Sequence, residues 1–165
     1  MHDEWFDVSD ADLDGTQKSF VDTVRTHARS WPDCPPNHTI VLVYDDEEDI
    51  EEDGEVELRL IVDVSDLTEH RVLLTLGACL VGNTLLCTEV HSQTYAPKDS
   101  TFVRPLEATG SPQELGRIAA SWFEDVLRRP VISSAGSDDW SFSEANHPVS
   151  DGFRLVRGLA PETRE

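Results

Sequence analysis

The stretch EVELRLIVDV, residues 55–64, decides the fold. Val56, Leu58, Leu60, Val62 and Val64 alternate with Glu57, Arg59, Ile61 and Asp63. Successive side chains of a β-strand point to opposite faces. One apolar set at period two therefore predicts a half-buried strand of an antiparallel sheet. Upstream, HTIVLVY (38–44) is a β-branched run and predicts another strand. Downstream, RVLLTLGACLV (71–81) and TLLCTEVHSQTY (84–95) flank Gly82-Asn83, a hairpin signal.

The register of that hairpin matters. A two-residue loop places Leu86 opposite Cys79 and puts Glu89, His91 and Gln93 on the face of Leu74, Leu76 and Leu80. A three-residue loop, Gly82 to Thr84, pairs Leu80 with Leu86, Leu76 with Val90 and Leu74 with Ser92. A one-residue slip swaps the faces, so the apolar pattern predicts the longer loop. The other face then carries Cys79 opposite Cys87, with Glu89 and His91 further along.

Two helices bracket the strands. The first is expected over about residues 15–29, where Phe20, Val21, Val24, His27, Ala28 and Trp31 form one stripe, with His27 packed among them. Trp31-Pro32 ends it. The second is expected over 112–129. Ser111 is its N-cap and Glu114 completes a capping box. Leu115, Ile118, Ala119, Trp122, Val126 and Leu127 make its buried stripe, and Pro130 stops it. Phe123 sits at the edge of the stripe, and APKDSTFVRPLEATG before the helix reads as a loop.

No helix falls between the strands, which disfavours a doubly wound parallel sheet. The expected fold class is α+β: an antiparallel sheet of about four strands with two amphipathic helices on one face, in the order α-β-β-β-β-α. Residues 1–14 read as an acidic lead-in, 15–130 as the core domain and 131–165 as a loop-rich segment partly packed on it. Within that segment Trp140 and Phe142 are expected to pack back, and FRLVR (153–157) to form a short edge strand.

Charge limits the function. The 165 residues hold 33 Asp and Glu against 13 Lys and Arg, a net charge of −20. Residues 1–66 hold 20 acids and 4 bases, so the acidity is N-terminal. Such a charge repels phosphate backbones and anionic lipid, which disfavours nucleic acid and membrane as partners. A basic protein is the natural attractor. The run Asp45, Asp46, Glu47, Glu48, Asp49, Ile50, Glu51, Glu52, Asp53 has eight acids in nine residues and is the expected partner-binding segment. MHDEWFDVSD carries no signal-peptide pattern, and no apolar run is long enough to span a bilayer. A cytoplasmic protein with Cys34, Cys79 and Cys87 reduced is expected.

Chemical motifs are sparse. Asp10, Asp12, Asp14 and Gly15 spell the front half of a calcium loop, but its later positions fall on Lys18 and Val21, where a bidentate Glu is needed last. Asp14 reads better as a helix N-cap with Gln17 completing a capping box, which leaves Asp10, Asp12 and Asp14 as weak metal candidates. A loop begun at Asp49 ends on Leu60 and fails the same way. Cys87, Glu89 and His91 offer a thiol, a carboxylate and an imidazole on one strand, the alternative reading as a cation-binding or small enzymatic domain. No nucleophile elbow, zinc-protease helix, phosphate loop or dinucleotide fingerprint occurs. The expectation is a non-enzymatic interaction module without a cofactor, binding a basic protein as an inhibitor, immunity protein or chaperone does. A purely structural role would be marked by an exposed aromatic patch at Trp5, Phe6 or Trp140.

Overall fold

Residues 57–64 belong to the second strand of an antiparallel sheet in the computed structural model, which describes residues 4–8, 13–31, 34–44, 57–66, 71–100, 102–134, 139–142 and 152–157. The sheet is a five-stranded meander of β1 (Thr39–Tyr44), β2 (Glu57–Asp66), β3 (Arg71–Val81), β4 (Thr84–Val90) and β5 (Leu106–Thr109), in that spatial order. Helices α1 (Gly15–Ala28) and α2 (Pro112–Leu127) stand before and after it. The fold is α+β, as the alternation and the absence of crossover helices predict.

The alternating residues do what their period requires. Leu58, Leu60, Val62 and Val64 of β2 join Leu74, Leu76, Ala78 and Leu80 of β3 and Leu85 and Cys87 of β4 in one core. The helices supply Phe20, Val21, Val24 and Ala28 from α1 and Leu115, Ala119, Trp122, Phe123, Val126 and Leu127 from α2. Gly116 lets the helices meet. A Cβ there would lie 2.7 Å from Thr23 Cβ and 3.1 Å from the Phe20 carbonyl oxygen. His27, expected in the stripe, is exposed, and its carbonyl accepts from the Ser30 amide and hydroxyl instead. Gln17 takes a buried place on that face.

Three expectations need correction. The hairpin turns on Gly82 and Asn83 alone, pairing Val81 with Thr84, Leu80 with Leu85 and Cys79 with Leu86. Gly82 has φ +59, and no non-glycine residue of the turn has positive φ. That is the pattern of a II′ turn, whose twist matches the strands it joins. Cys87 therefore faces Ala78 and not Cys79, and Glu89 falls opposite Leu76 on the core face. Second, β4 ends at Val90, where Tyr95, at φ +55, donates its amide to the His91 carbonyl and the chain doubles back. Third, the expected loop before α2 contains β5. Its four residues between Pro105 and Gly110 are too few to show a period, yet Ala108 pairs with Leu85 and Leu106 with Cys87.

The N-terminal segment is more than a lead-in. Phe6 is fully buried and contacts Trp31 and Phe123 with ring centroids 6.0 and 6.2 Å away. It holds φ +52, a left-handed conformation that disfavours a bulky residue. Four hydrogen bonds hold the turn: Phe6 N to Thr39 Oγ1, Trp5 Nε1 to the Cys34 carbonyl, and Arg25 to the carbonyls of both Trp5 and Phe6.

The C-terminal segment folds into a three-stranded antiparallel sheet with β6 (Val131–Ser134) between β7 (Trp140–Phe142) and β8 (Phe153–Arg157). Trp140 and Phe142 pack against the core, as their aromatic character predicts, and Trp140 stacks on Phe102 at 4.5 Å. β8 is tied to β2 by buried charge. Asp66, with no exposed surface, lies 2.7 Å from Arg154, and Arg157 donates to the Ser65 carbonyl.

Two substitutions and a control check this packing. Phe6→Ala should lower unfolding free energy by about 3–5 kcal/mol, read as a drop in urea midpoint at constant slope. Gly116→Ala should destabilise by about 1–3 kcal/mol despite better helix propensity, because Thr23 Cβ, fixed to the facing helix, and the Phe20 carbonyl crowd the added methyl. Gly15→Ala, where a Cβ meets nothing within 4 Å, should be neutral or stabilising in the same assay.

Candidate functional site

The expected partner-binding residues Asp45, Asp46, Glu47, Glu48, Asp49, Glu51, Glu52 and Asp53 lie outside the described residues, as do Asp10 and Asp12. The chain enters that run directly from β1 and leaves it into β2. Asp14 is described, and it is a cap. Its Oδ1 accepts the Gln17 amide at 2.7 Å, and Gln17 Oε1 accepts the Asp14 amide at 3.1 Å. This reciprocal pair satisfies amides at the start of α1. At α2 only half of the expected box forms: Ser111 Oγ accepts the Glu114 amide, while the Glu114 carboxylate folds toward Gly110.

The strand constellation is divided among three surroundings. Cys87 is buried in the core, and burial pushes its thiol up. Glu89 is 4% exposed, and its Oε1 accepts from Ser100 Oγ at 2.6 Å while Oε2 meets Lys98 Nζ at 3.0 Å. His91 is exposed beyond the end of β4. A buried carboxylate needs a paired cation and hydrogen bonds, and the segment after β4 supplies both to Glu89. Ser100 Oγ also accepts the amides of Phe102 and Val103, so Glu89 organises that segment as a structural anchor.

A second group of ionisable side chains meets where β8 approaches β2. Cys34, His38, Asp63 and Arg157 interact electrostatically there, from three stretches of chain: the connection before β1, β2 and β8. No sequence spacing announces them; the only local signal is Asp63 at an outward position of β2. Burial pushes the Cys34 thiol up to about 12, with Arg157 opposing. Burial lowers His38 and raises Asp63, each opposed by the other's charge, and Thr75 Oγ1 donates to Asp63 at 3.0 Å. Burial likewise lifts Cys79 to about 11, with Glu57 adding to the shift. A nucleophilic cysteine needs a stabilised thiolate, and each of the three thiols is moved the other way.

Among the described residues no three His, Cys, Asp or Glu side chains converge as metal ligands, and no helix is long and apolar enough to cross a membrane. One hollow of about 280 Å³ lies where the helix starts meet the β3–β4 turn, lined by Asp14, Thr16, Gln17, Leu80, Gly82, Asn83 and Pro112. It falls at the small end for a ligand pocket, and the Asp14 carboxylate in it is already committed to capping. No family model, no curated protein and no solved structure matches this chain.

The thiol environments are directly testable. At pH 8 the folded chain should leave Cys34, Cys79 and Cys87 unmodified by iodoacetamide, with all three alkylated once guanidinium unfolds it. Modification of any one in the native state, read by intact mass, would contradict the burial described.

Proposed function

We propose that this chain is a non-enzymatic acidic interaction module that binds a basic protein partner, as inhibitors, immunity proteins or chaperones do. The observation that carries it is the concentration of charge: 20 acids against 4 bases in residues 1–66, with eight acids in residues 45–53. A field of that sign raises the encounter rate of a cationic partner and repels nucleic acid and anionic membrane. Two further observations support the reading. The buried acids Asp66 and Glu89 each have a cation from the same chain, Arg154 and Lys98, so their charge is spent internally. The buried thiols are shifted away from reactivity.

The test begins with capture of partners from the native host and their identification by mass spectrometry. Association with the captured basic protein is then followed by stopped flow, for the native chain and for a variant with Asn and Gln replacing the acids of 45–53. The variant should associate about tenfold more slowly at low ionic strength, with a flatter dependence on salt. An equal rate at low salt would sink the proposal.

A further inference from the structure

The five-stranded sheet has two edges, and among the described residues only one carries the usual protection. An open strand edge presents unpaired amides and carbonyls, and folded proteins blunt it with charge, proline or shortness. β5 has all three devices: four residues, Glu107 within it and Pro105 just before it. In the smaller sheet β7 has three residues and β8 carries Arg154 and Arg157. β1 has none of them. It is six residues long, reads Thr39-Ile-Val-Leu-Val-Tyr44, and pairs on one side with β2 and on the other with no strand among the described residues. Ile40, Val41, Leu42 and Val43 are all only half-buried. Val41 and Val43 continue the core row and Ile40 and Leu42 the opposite one, so an added strand would find apolar neighbours on both faces.

The charge absent from β1 stands immediately after it. Residues 45–53 follow Tyr44 with eight acids. A second copy of the chain would bring a further −20 to this edge, which disfavours self-pairing. A cationic segment meets the opposite field.

We propose that the edge of β1 that no described strand pairs is the docking site for an extended partner segment that adds as a sixth strand, apolar or β-branched where it lies along Thr39–Tyr44 and rich in Lys or Arg where it passes Tyr44. Main-chain hydrogen bonds supply the binding and the flanking charge selects the partner, the logic of strand addition. This rests on the basic-partner reading above and specifies its surface.

The probe is a synthetic peptide of about ten residues, alternating Val and Thr and ending in a lysine run, titrated into the isotope-labelled full chain at low salt. Amides of Thr39–Tyr44 should shift and their hydrogen exchange should slow. Two further peptides are N-methylated on complementary alternate residues, which removes ladder donors and keeps the charge. In an added strand one set points at β1 and the other away, so one methylated peptide should bind at least about tenfold more weakly than the other. If both methylated peptides bind as well as the parent and the shifts fall elsewhere, strand addition is overturned while capture of basic partners stands. If no lysine peptide binds, both readings fall. Protection of β1 amides that grows with protein concentration and without peptide would mean self-pairing, and would also overturn the inference.

Discussion

The two-residue turn at Gly82-Asn83 is the constraint on which the rest of the sheet depends. A strand's side chains alternate, so the turn that sets the register also decides which face each residue of β4 takes. Both faces of β4 carry apolar residues, Leu85 and Cys87 on one and Leu86 and Val90 on the other. The hydrophobic pattern is therefore nearly degenerate and turn geometry decides. Gly82 enters the turn at φ +59, which glycine accepts without strain. The register it fixes seats Val90 over Gly77, whose added Cβ would stand 2.7 Å from Val90 Cγ1. Gly77 in the central strand is thus the complement of Val90, and the two residues together argue for this pairing.

The same register forces Glu89 onto the core face, and the consequences run to the C-terminus. Lys98 and Ser100 neutralise and solvate the buried carboxylate, and the chain after β4 doubles back so that Pro97 bridges to Val90. Val103 then enters the core, the Arg104 carbonyl accepts Trp122 Nε1, and the Phe102 carbonyl accepts Arg129. Phe102 in turn stacks on Trp140 of β7. From the other side, Asp66 at the end of β2 holds Arg154 of β8. The small sheet is therefore tethered twice: by the Phe102–Trp140 stack, on a segment that Glu89 anchors through Lys98 and Ser100, and by the buried Asp66–Arg154 pair, whose members lie 88 residues apart. Removing one member of such a pair leaves the other uncompensated in low dielectric, which costs more than the intact pair contributes.

What the sequence made legible follows from the range of the forces involved. Both helices, the Asp14–Gln17 capping box, the β2 alternation and the fold class depend on neighbours within a few residues, and all can be read directly. Phe6 was hidden because its partners, Trp31 and Phe123, are remote and its left-handed turn has no sequence signature. β5 was hidden because four residues show no period. Apolar patterning alone favours the longer hairpin loop, because Glu89 on the core face has no partner that sequence spacing announces; Lys98 and Ser100 reach it only once the chain doubles back. The electrostatic meeting of the neighbouring Cys34 and His38 with Asp63 and Arg157 is tertiary, while the acidic run is obvious from composition alone.

Composition and topology converge at β1. An edge of six uncharged, mostly apolar residues is a template for aggregation unless something discourages identical copies from using it. Charge within the strand would do so, but would also discourage every other strand. Charge placed just beyond the strand acts differently. It leaves the hydrogen-bonding edge and its apolar flanks intact, repels another copy through the whole field of the chain, and attracts a segment of opposite sign. Specificity is a difference between affinities, and this arrangement widens that difference from both ends. On the proposed reading, the acidic run that reads as a solubilising feature when taken alone becomes, after an edge that no described strand pairs, the element that separates wanted from unwanted pairing.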